Sequence, residues 1–433
     1  MNIKQNFKQS RQIIRQNKLF SGIYIAGTAI TISMVMIIAI VWIAKTAELY
    51  PEVNRSKMMS IKGVVERTKD KKGYSSYYSS HKFTEDFVRS TKTFEYATEI
   101  INSDEASTLR TTGDDKYKVR TLYTDHYFWK IMEFRFLEGM PYTQEDVSSK
   151  ISKAVISESV AKKYFGSVDN AVGQHFTLDF VDYAVCGVVK DVSAIMSVSY
   201  ADIWLPITTT DQYYDNQGDG GYLGLINTYI LSRSSKDFSK IRSEVNEKIA
   251  SFNNTSTTVV VDPMGQPEPY IKGILRKWSN AEPDIRGYIL KLSLVVLILL
   301  LVPAINLAGM ISSRMTRRKE EMGIRKTFGA TKKSILSQII NENLLLTLIG
   351  GGLGLLLSYL ILIVKGDTIV GLIIEPGFGD ALTNVDFSIS MLMNPWVFVI
   401  ALVICLVLNL LAAIIPAAHS LKNNIVDSLN VKK

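Results

Sequence analysis

RMTRRKEEMGIRKTFGATKK, residues 314–333, decides the fold. It carries eight basic residues against Glu320 and Glu321, and it lies between two long apolar runs, residues 292–311 and 343–364. Each run is long enough to cross a hydrocarbon core of ~30 Å at ~1.5 Å per helical residue. Short loops rich in Lys and Arg stay on the inner side of a membrane, so the stretch is expected to be a cytoplasmic connector between two spans. It is too short to fold as a domain, which implies that another protein binds it.

Two more apolar runs complete the membrane part. Residues 19–44 hold no charge, and residues 396–415 are apolar apart from Asn409 until Pro416 interrupts the helix. The N-terminal tail has Lys4, Lys8, Arg11, Arg15 and Lys18 without an acid, and their three- and four-residue steps give an interfacial helix with one cationic face. The final tail is also basic, whereas residues 365–395 set Lys365 against Asp367, Glu375, Asp380 and Asp386. These counts predict one orientation with both termini cytoplasmic. The expected layout is an amphipathic cytoplasmic helix (1–18), spans at 19–44, 289–312, 334–364 and 396–416, and an extracytoplasmic domain over 45–288. The connector then occupies 313–333, an outer loop 365–395 and a cytoplasmic tail 417–433. The first run is longer than the ~7 to 15 apolar residues of a cleavable signal and reads as a retained anchor in the inner (plasma) membrane.

The fold class is therefore four transmembrane α-helices plus a large α+β extracytoplasmic domain between the first and second. In that domain, residues 118–123, 153–157, 176–180, 183–189 and 228–231 read as strands, and residues 158–165 and 237–252 have helical spacing. The run DNQGDGGYLG, residues 215–224, reads as a flexible loop that separates subdomains or interrupts one. The chain's net charge of +8 sits at the inner membrane surface, next to anionic headgroups, and leaves residues 45–290 slightly acidic. No basic patch for nucleic acid remains outside.

The chain offers little chemistry. His81, His126, His175 and His419 are scattered and none has metal-ligand spacing. Asp215, Gln217, Asp219 and Gly220 resemble the opening of a calcium loop, but Ile226 stands where the bidentate Glu is required. Neither G-x-S-x-G nor H-E-x-x-H occurs, and Ser157 before a helical run reads as an N-cap. There is no G-x-x-x-x-G-K-[ST] loop to cradle phosphates, so any ATP used must be hydrolysed by another subunit. In the spans, Gly22 with Ala26 and Gly350 with Gly354 are small-xxx-small pairs that permit close helix packing. Glu342 lies near an inner end, where it snorkels or pairs with Lys332 or Lys333, and Pro303 is expected to kink the second span.

Residues 318–330, RKEEMGIRKTFGA, resemble the R-x-x-E-[IM]-G-I-R-[KR]-x-[LF]-G-A pattern of the MacB/FtsX/LolC family of ABC transporter permeases. AVISESVAKKYFG (154–166), Val172 with Gly173, and AVCGVVKD (184–191) look like the periplasmic core domain that these permeases carry between their first two helices. The resemblance implies that the connector is a coupling helix docked in the groove of a cytoplasmic ABC ATPase dimer. Arg325 and Lys326, with Arg318, would make its charge-assisted contacts, Glu321 would pair with a basic residue of the ATPase or cap its own helix, and Met322, Ile324 and Phe328 would form its apolar face. Gly323 would permit close approach and Gly329 the turn back to the membrane.

It further implies a non-catalytic subunit that binds no cofactor itself, with ATP and Mg in the partner ATPase. A second permease copy is expected, a homodimer before a heterodimer, with a periplasmic adaptor or cargo protein outside. The role implied is export or extrusion of a peptide, toxin, drug or lipoprotein by mechanotransmission, in which the outer domains move and cargo does not pass through the helices. The alternative is non-transport signalling to an extracytoplasmic enzyme such as a cell-wall hydrolase. A ligand sensor, the third class, would need a cytoplasmic signalling domain that the connector is too short to form.

Overall fold

The computed structural model describes residues 18–70, 73–103, 107–110, 116–193, 195–278, 280–317, 331–373, 398–400, 402–407 and 410. They fall into two compact units, one of residues 44–285 with 370–386 and the other of residues 1–43, 286–369 and 387–433. The first helix, α1 (Lys18–Thr46), is long and apolar enough to cross a membrane, and its last turn belongs to the first of these units.

The unit of residues 44–285 contains two sheets and two cores. Strands β1 (Met58–Ile61), β2 (Val64–Thr68), β3 (Tyr74–Ser79) and β4 (Tyr96–Asn102) come first. Next are β5 (Ser107–Arg110), β6 (Lys116–Val119), β7 (Thr121–Thr124), β8 (Phe136–Gly139) and β9 (Lys153–Ser157). After α2 (Glu158–Phe165) follow β10 (His175–Leu178), β11 (Val181–Val189), β12 (Ile203–Pro206), β13 (Leu223–Gly224) and β14 (Asn227–Leu231). The unit closes with α3 (Phe238–Thr255), β15 (Val259–Asp262), β16 (Glu268–Pro269) and α4 (Tyr270–Ile274).

The large sheet runs β16-β1-β14-β4-β7-β12-β9-β11-β10-β5-β6, with β8 on β11, and the small sheet runs β13-β3-β2-β15. The sheet curls, because β6 at one end is joined through Arg120 to β7 in its middle and that end faces the same core as the middle strands, where Leu109 and Val119 meet Ile156, Phe176, Val185 and Leu205. The second core lies under β1, β14 and β4, where α3 sets Ile241, Val245 and Ile249 at a four-residue spacing against Ile61, Phe87 and Ile230. The unit is therefore a two-lobed α+β domain in which the lobe of residues 107–206 is inserted into the other.

Several expectations meet the structure directly. The helix expected over 158–165 is α2, with Ser157 Oγ accepting from Val160 N and Gly166 closing it at φ +82°. The strand expected over 118–123 is instead two strands. Arg120 divides them because its N–H donates to Asp202 Oδ2 at 2.8 Å and its carbonyl accepts from Asp202 N and Ile203 N, turning the chain out of the ladder. The run expected over 176–180 ends at Leu178, and Asp179 and Phe180 make a tight turn at φ +45° and +70°. The loop of residues 215–224 interrupts one lobe and does not divide the two. Its Gly220 and Tyr222 amides donate to the buried Glu66 carboxylate of β2, so the stretch that resembles a calcium loop holds a side chain.

In the other unit, α5 (Ile285–Arg317) is helical through Pro303, and α6 (Lys332–Ile373) departs from helical geometry at Lys365. Residues 398–400 and 402–407 are helical within the expected fourth span, the rest of which lies outside the described residues except at residue 410. The N-terminal helix expected over 1–18 and the tail from 417 also lie outside them, Lys18 excepted.

Candidate functional site

Gly350 and Gly354 lie where α6 meets α1. A side-chain carbon on Gly350 would fall 2.8 Å from Thr28 Cβ and 3.1 Å from the Ile25 carbonyl, and one on Gly354 would fall 2.7 Å from the Ala29 carbonyl. Glycine is needed there because the two backbones approach too closely for a side chain. Tyr24 and Thr347 hydroxyls, 3.1 Å apart, add a hydrogen bond across the same contact. Gly22 and Ala26 instead lie on an exposed face of α1, and a side chain at Gly22 would meet nothing within 4 Å among the described residues. Glu342 and Asn343 are buried one turn before Thr347. The connector residues Arg318, Glu321, Met322, Gly323, Ile324, Arg325, Lys326, Phe328 and Gly329 lie outside the described residues.

A buried polar site that the sequence reading missed lies where the chain enters and leaves the two-lobed domain. Glu52 and Arg55 form an ion pair at 2.8 Å with side chains 0% and 1% exposed. Arg55 Nη1 donates to the carbonyls of Ala44 (2.8 Å) and Ala47 (2.7 Å), capping the end of α1, and Nη2 lies 2.9 Å from the Met196 sulfur. Glu52 Oε1 accepts from Val198 N (3.2 Å), Ser199 N (3.0 Å) and Ser199 Oγ (2.8 Å). Its Oε2 accepts from Tyr270 Oη at 2.6 Å, on the segment that leads out toward α5.

The Ser199 carbonyl in turn accepts from the buried Trp204 indole N–H of β12 at 3.1 Å. Burial opposes charge on Glu52, but Arg55, Tyr270 and Ser199 outweigh it and hold its carboxyl below the usual range. Neighbouring contacts tie the same segment to the inserted lobe: Asn54 Nδ2 donates to the Ile131 carbonyl at 3.1 Å, and Arg135 N donates to Tyr50 Oη at 3.1 Å.

A second buried pair secures the exit. Arg276 Nε and Nη2 grip the Glu268 carboxylate at 2.6 and 3.0 Å, and its other donors reach the Met264 and Ala281 carbonyls. The only sequence trace of these sites is an opposite-charge pair three residues apart just past an apolar run, Glu52 and Arg55, which is common on surfaces and carries no signal of burial.

A third charged group lies where β4 meets β7. His81 Nδ1 is 2.9 Å from Glu99 Oε2, Arg89 Nη2 is 2.6 Å from Asp125 Oδ2 and 3.6 Å from Glu99 Oε2, and Arg89 also pairs with Glu85. Asp125 further accepts from Thr98 Oγ1 at 2.6 Å and from the Tyr127 and Phe128 amides. Among the described residues no cluster of three His, Cys, Asp or Glu side chains is placed to hold a metal ion.

The polar sites thus connect backbone segments to one another and offer neither a nucleophile beside a base nor a phosphate cradle. Comparison with known proteins gives two family models. One, described as MacB-like periplasmic core domain, matches residues 21–248, and the other, described as FtsX-like permease C-terminal, matches residues 293–425. The first reaches across residues 51–112. Among curated relatives, the chain is 27% identical over 252 residues to the macrolide export ATP-binding/permease protein MacB of Burkholderia cenocepacia, covering 58% of this chain and 34% of that one. It is 23% identical over 286 residues to the uncharacterized ABC transporter permease YknZ of Bacillus subtilis, covering 64% of this chain and 66% of that one. The chain thus spans about a third of the length of the MacB relatives it matches. Among solved structures, the periplasmic region of MacB from Actinobacillus actinomycetemcomitans aligns with a TM-score of 0.34 at 13% identity, over 48% of this chain and 89% of that one.

Proposed function

Because the chain belongs to the ABC transporter permeases that join a MacB-like periplasmic core domain to an FtsX-like C-terminal part, we propose that it transmits ATP-driven motion from a separate cytoplasmic ATPase to its outer domain. It is an inner-membrane permease subunit, and the proposed topology has four spans with both termini cytoplasmic. Residues 318–329 dock on the ATPase dimer, which holds ATP and Mg, and a second permease copy completes the transporter, a homodimer in preference to a heterodimer. Motion of the two-lobed domain then drives export of a peptide, toxin, drug or lipoprotein. The name of the MacB relatives, macrolide export ATP-binding/permease protein, supports a drug among these.

The observation that carries the reading is the pairing of an ordered motif, RKEEMGIRKTFGA, with an outer domain whose polar network ties the chain's way in to its way out. A mechanical subunit needs an input surface and a stiff output, and those two features supply them. The test is to purify the full-length chain from its native host and assay for a bound ABC ATPase. Glu321→Ala with Arg325→Ala is expected to lower ATPase recovery at least tenfold while the permease still reaches the membrane. Recovery of wild-type permease without any ATPase would sink the reading.

A further inference from the structure

We propose that Glu52, Arg55 and Tyr270 are positioning residues that form a rigid joint, locking the last turn of α1 to both lobes of the outer domain so that they move as one body. The inference rests on the permease reading and names the residues through which motion enters the domain.

The geometry joins segments far apart in the chain. Arg55 holds the Ala44 and Ala47 carbonyls at the end of α1 and passes the contact at 2.8 Å to Glu52. Glu52 divides it: one oxygen takes the Val198 and Ser199 amides, and through Ser199 the indole of Trp204 in β12, at the middle of the inserted lobe. The other oxygen takes Tyr270, whose neighbour Pro269 pairs with Met59 of β1 in the other lobe. Without this joint, the turns and the short 3-10 segment Arg55–Lys57 between α1 and β1 would hold the end of α1 to the inserted lobe through single hydrogen bonds such as Asn54 to the Ile131 carbonyl and Arg135 N to Tyr50.

Stability alone is a poor reason to keep ions here. A buried ion pair gives up hydration, and apolar residues of similar volume are often equally stable. What charge adds is direction and a single register, since each donor must stay within hydrogen-bond distance of its acceptors and a shift of about 1 Å breaks the set. Those are properties that a joint under load requires.

The experiment measures that joint in the full-length permease bound to the ATPase that co-purifies with it. Spin labels replace the exposed Glu48 and Gln174 in a Cys186→Ser, Cys405→Ala background, and the distance distribution is recorded without nucleotide and after trapping with Mg-ATP and vanadate. In the otherwise wild-type joint the distribution is expected to stay narrow in both states. In Glu52→Leu/Arg55→Met, which removes the pair without stranding a charge, ATP turnover is expected within twofold of wild type, with a distribution at least twice as wide only in the trapped state.

A distribution as narrow as wild type in both states would overturn the joint, and so would equal broadening in both, which marks loosening without load. Where the double variant does not assemble, Tyr270→Phe removes one hydrogen bond and is judged by the same two criteria. Wild-type permease that carries no ATPase fails earlier and overturns the permease reading itself.

Discussion

The Glu52 joint and the Arg89 cluster are both buried and charged, yet their balance of charges is opposite. At the joint one carboxylate faces one guanidinium and is ringed by hydroxyl and amide donors, so burial is outweighed and the acid stays below its usual range. At the cluster Glu85, Glu99 and Asp125 share Arg89 and the half-buried His81, with the Tyr213 ring against the histidine. Burial, together with Glu99, pushes Asp125 up to about 6 against the pull of Arg89 and Thr98. Glu52 and Asp125 each accept five hydrogen bonds, so it is the second carboxylate, Glu99, beside Asp125 that separates a contact that titrates near 6 from a fastener whose acid is held below its usual range.

The largest effect that could break this comparison comes from stranding the joint's carboxylate. Arg55→Ala leaves Glu52 buried without its cation and is expected to cost about 3–5 kcal/mol of outer-domain stability. Glu52→Leu/Arg55→Met is expected to recover most of that loss, because no lone charge remains. Chemical denaturation of the full-length chain in detergent, followed by tryptophan fluorescence, measures both. A cost below 1 kcal/mol for Arg55→Ala would mean that the joint is not sealed from water.

The next effect sets the two networks against each other by pH. Asp125 has a folded pKa raised from 3.8 to about 6, so the native state binds the extra proton and stability falls as pH rises from about 4 to 6. Burial opposes charge on His81, but Glu99 and Glu85 raise its pKa above 6.5, and that contribution is likewise lost as pH rises through the folded value. Glu52 is lowered from 4.5, so its stabilisation is already complete at pH 5 and disappears only in stronger acid. Between pH 5 and 8, hydrogen exchange corrected for intrinsic rates should show the Tyr127 and Phe128 amides losing about tenfold in protection, the equivalent of one pKa unit or about 1.4 kcal/mol. The Val198 and Ser199 amides should hold theirs. Asp125→Asn keeps an acceptor for the Tyr127 and Phe128 amides and should flatten most of the slope; an unchanged slope would assign the titration to another group.

Much of the architecture was legible because it is written in local pattern. The apolar runs marked α1 and α6, Ser157 and Gly166 bracketed α2, and the apolar spacing of residues 241, 245 and 249 fixed α3. The Gly350 and Gly354 pair was legible as a packing face, but its partner on α1 was not, since Gly22 and Ala26 lie on the exposed side and Thr28 and Ala29 take the contact. Strands between residues 51 and 112 escaped because the short apolar runs of β1 (MMSI), β2 (VVERT) and β4 (YATEIIN) are buried on both faces and lack a period of two, and β3 (YSSYYS) is almost wholly polar. The joint escaped for a different reason: Glu52 and Tyr270 are 218 residues apart, and no period or spacing encodes a hydrogen bond across that distance.

The smallest expected effect tests whether burial, and not charge as such, divides the two networks from the surface around them. Lys82 pairs with Asp86 at 3.0 Å one turn before Arg89, with both side chains about half exposed, and its ammonium sits 3.7 Å from the centre of the Tyr222 ring. Water competes for both partners there, so Lys82→Met, which keeps an aliphatic stem over the ring, is expected to cost less than about 1 kcal/mol. The difference should shrink further in 1 M salt, where screening acts within about 3 Å. The same denaturation measured at low and high salt decides it. A loss above 2 kcal/mol that salt does not reduce would show that an exposed pair can bind as firmly as Glu52 and Arg55, and exposure would no longer separate this pair from the buried sites.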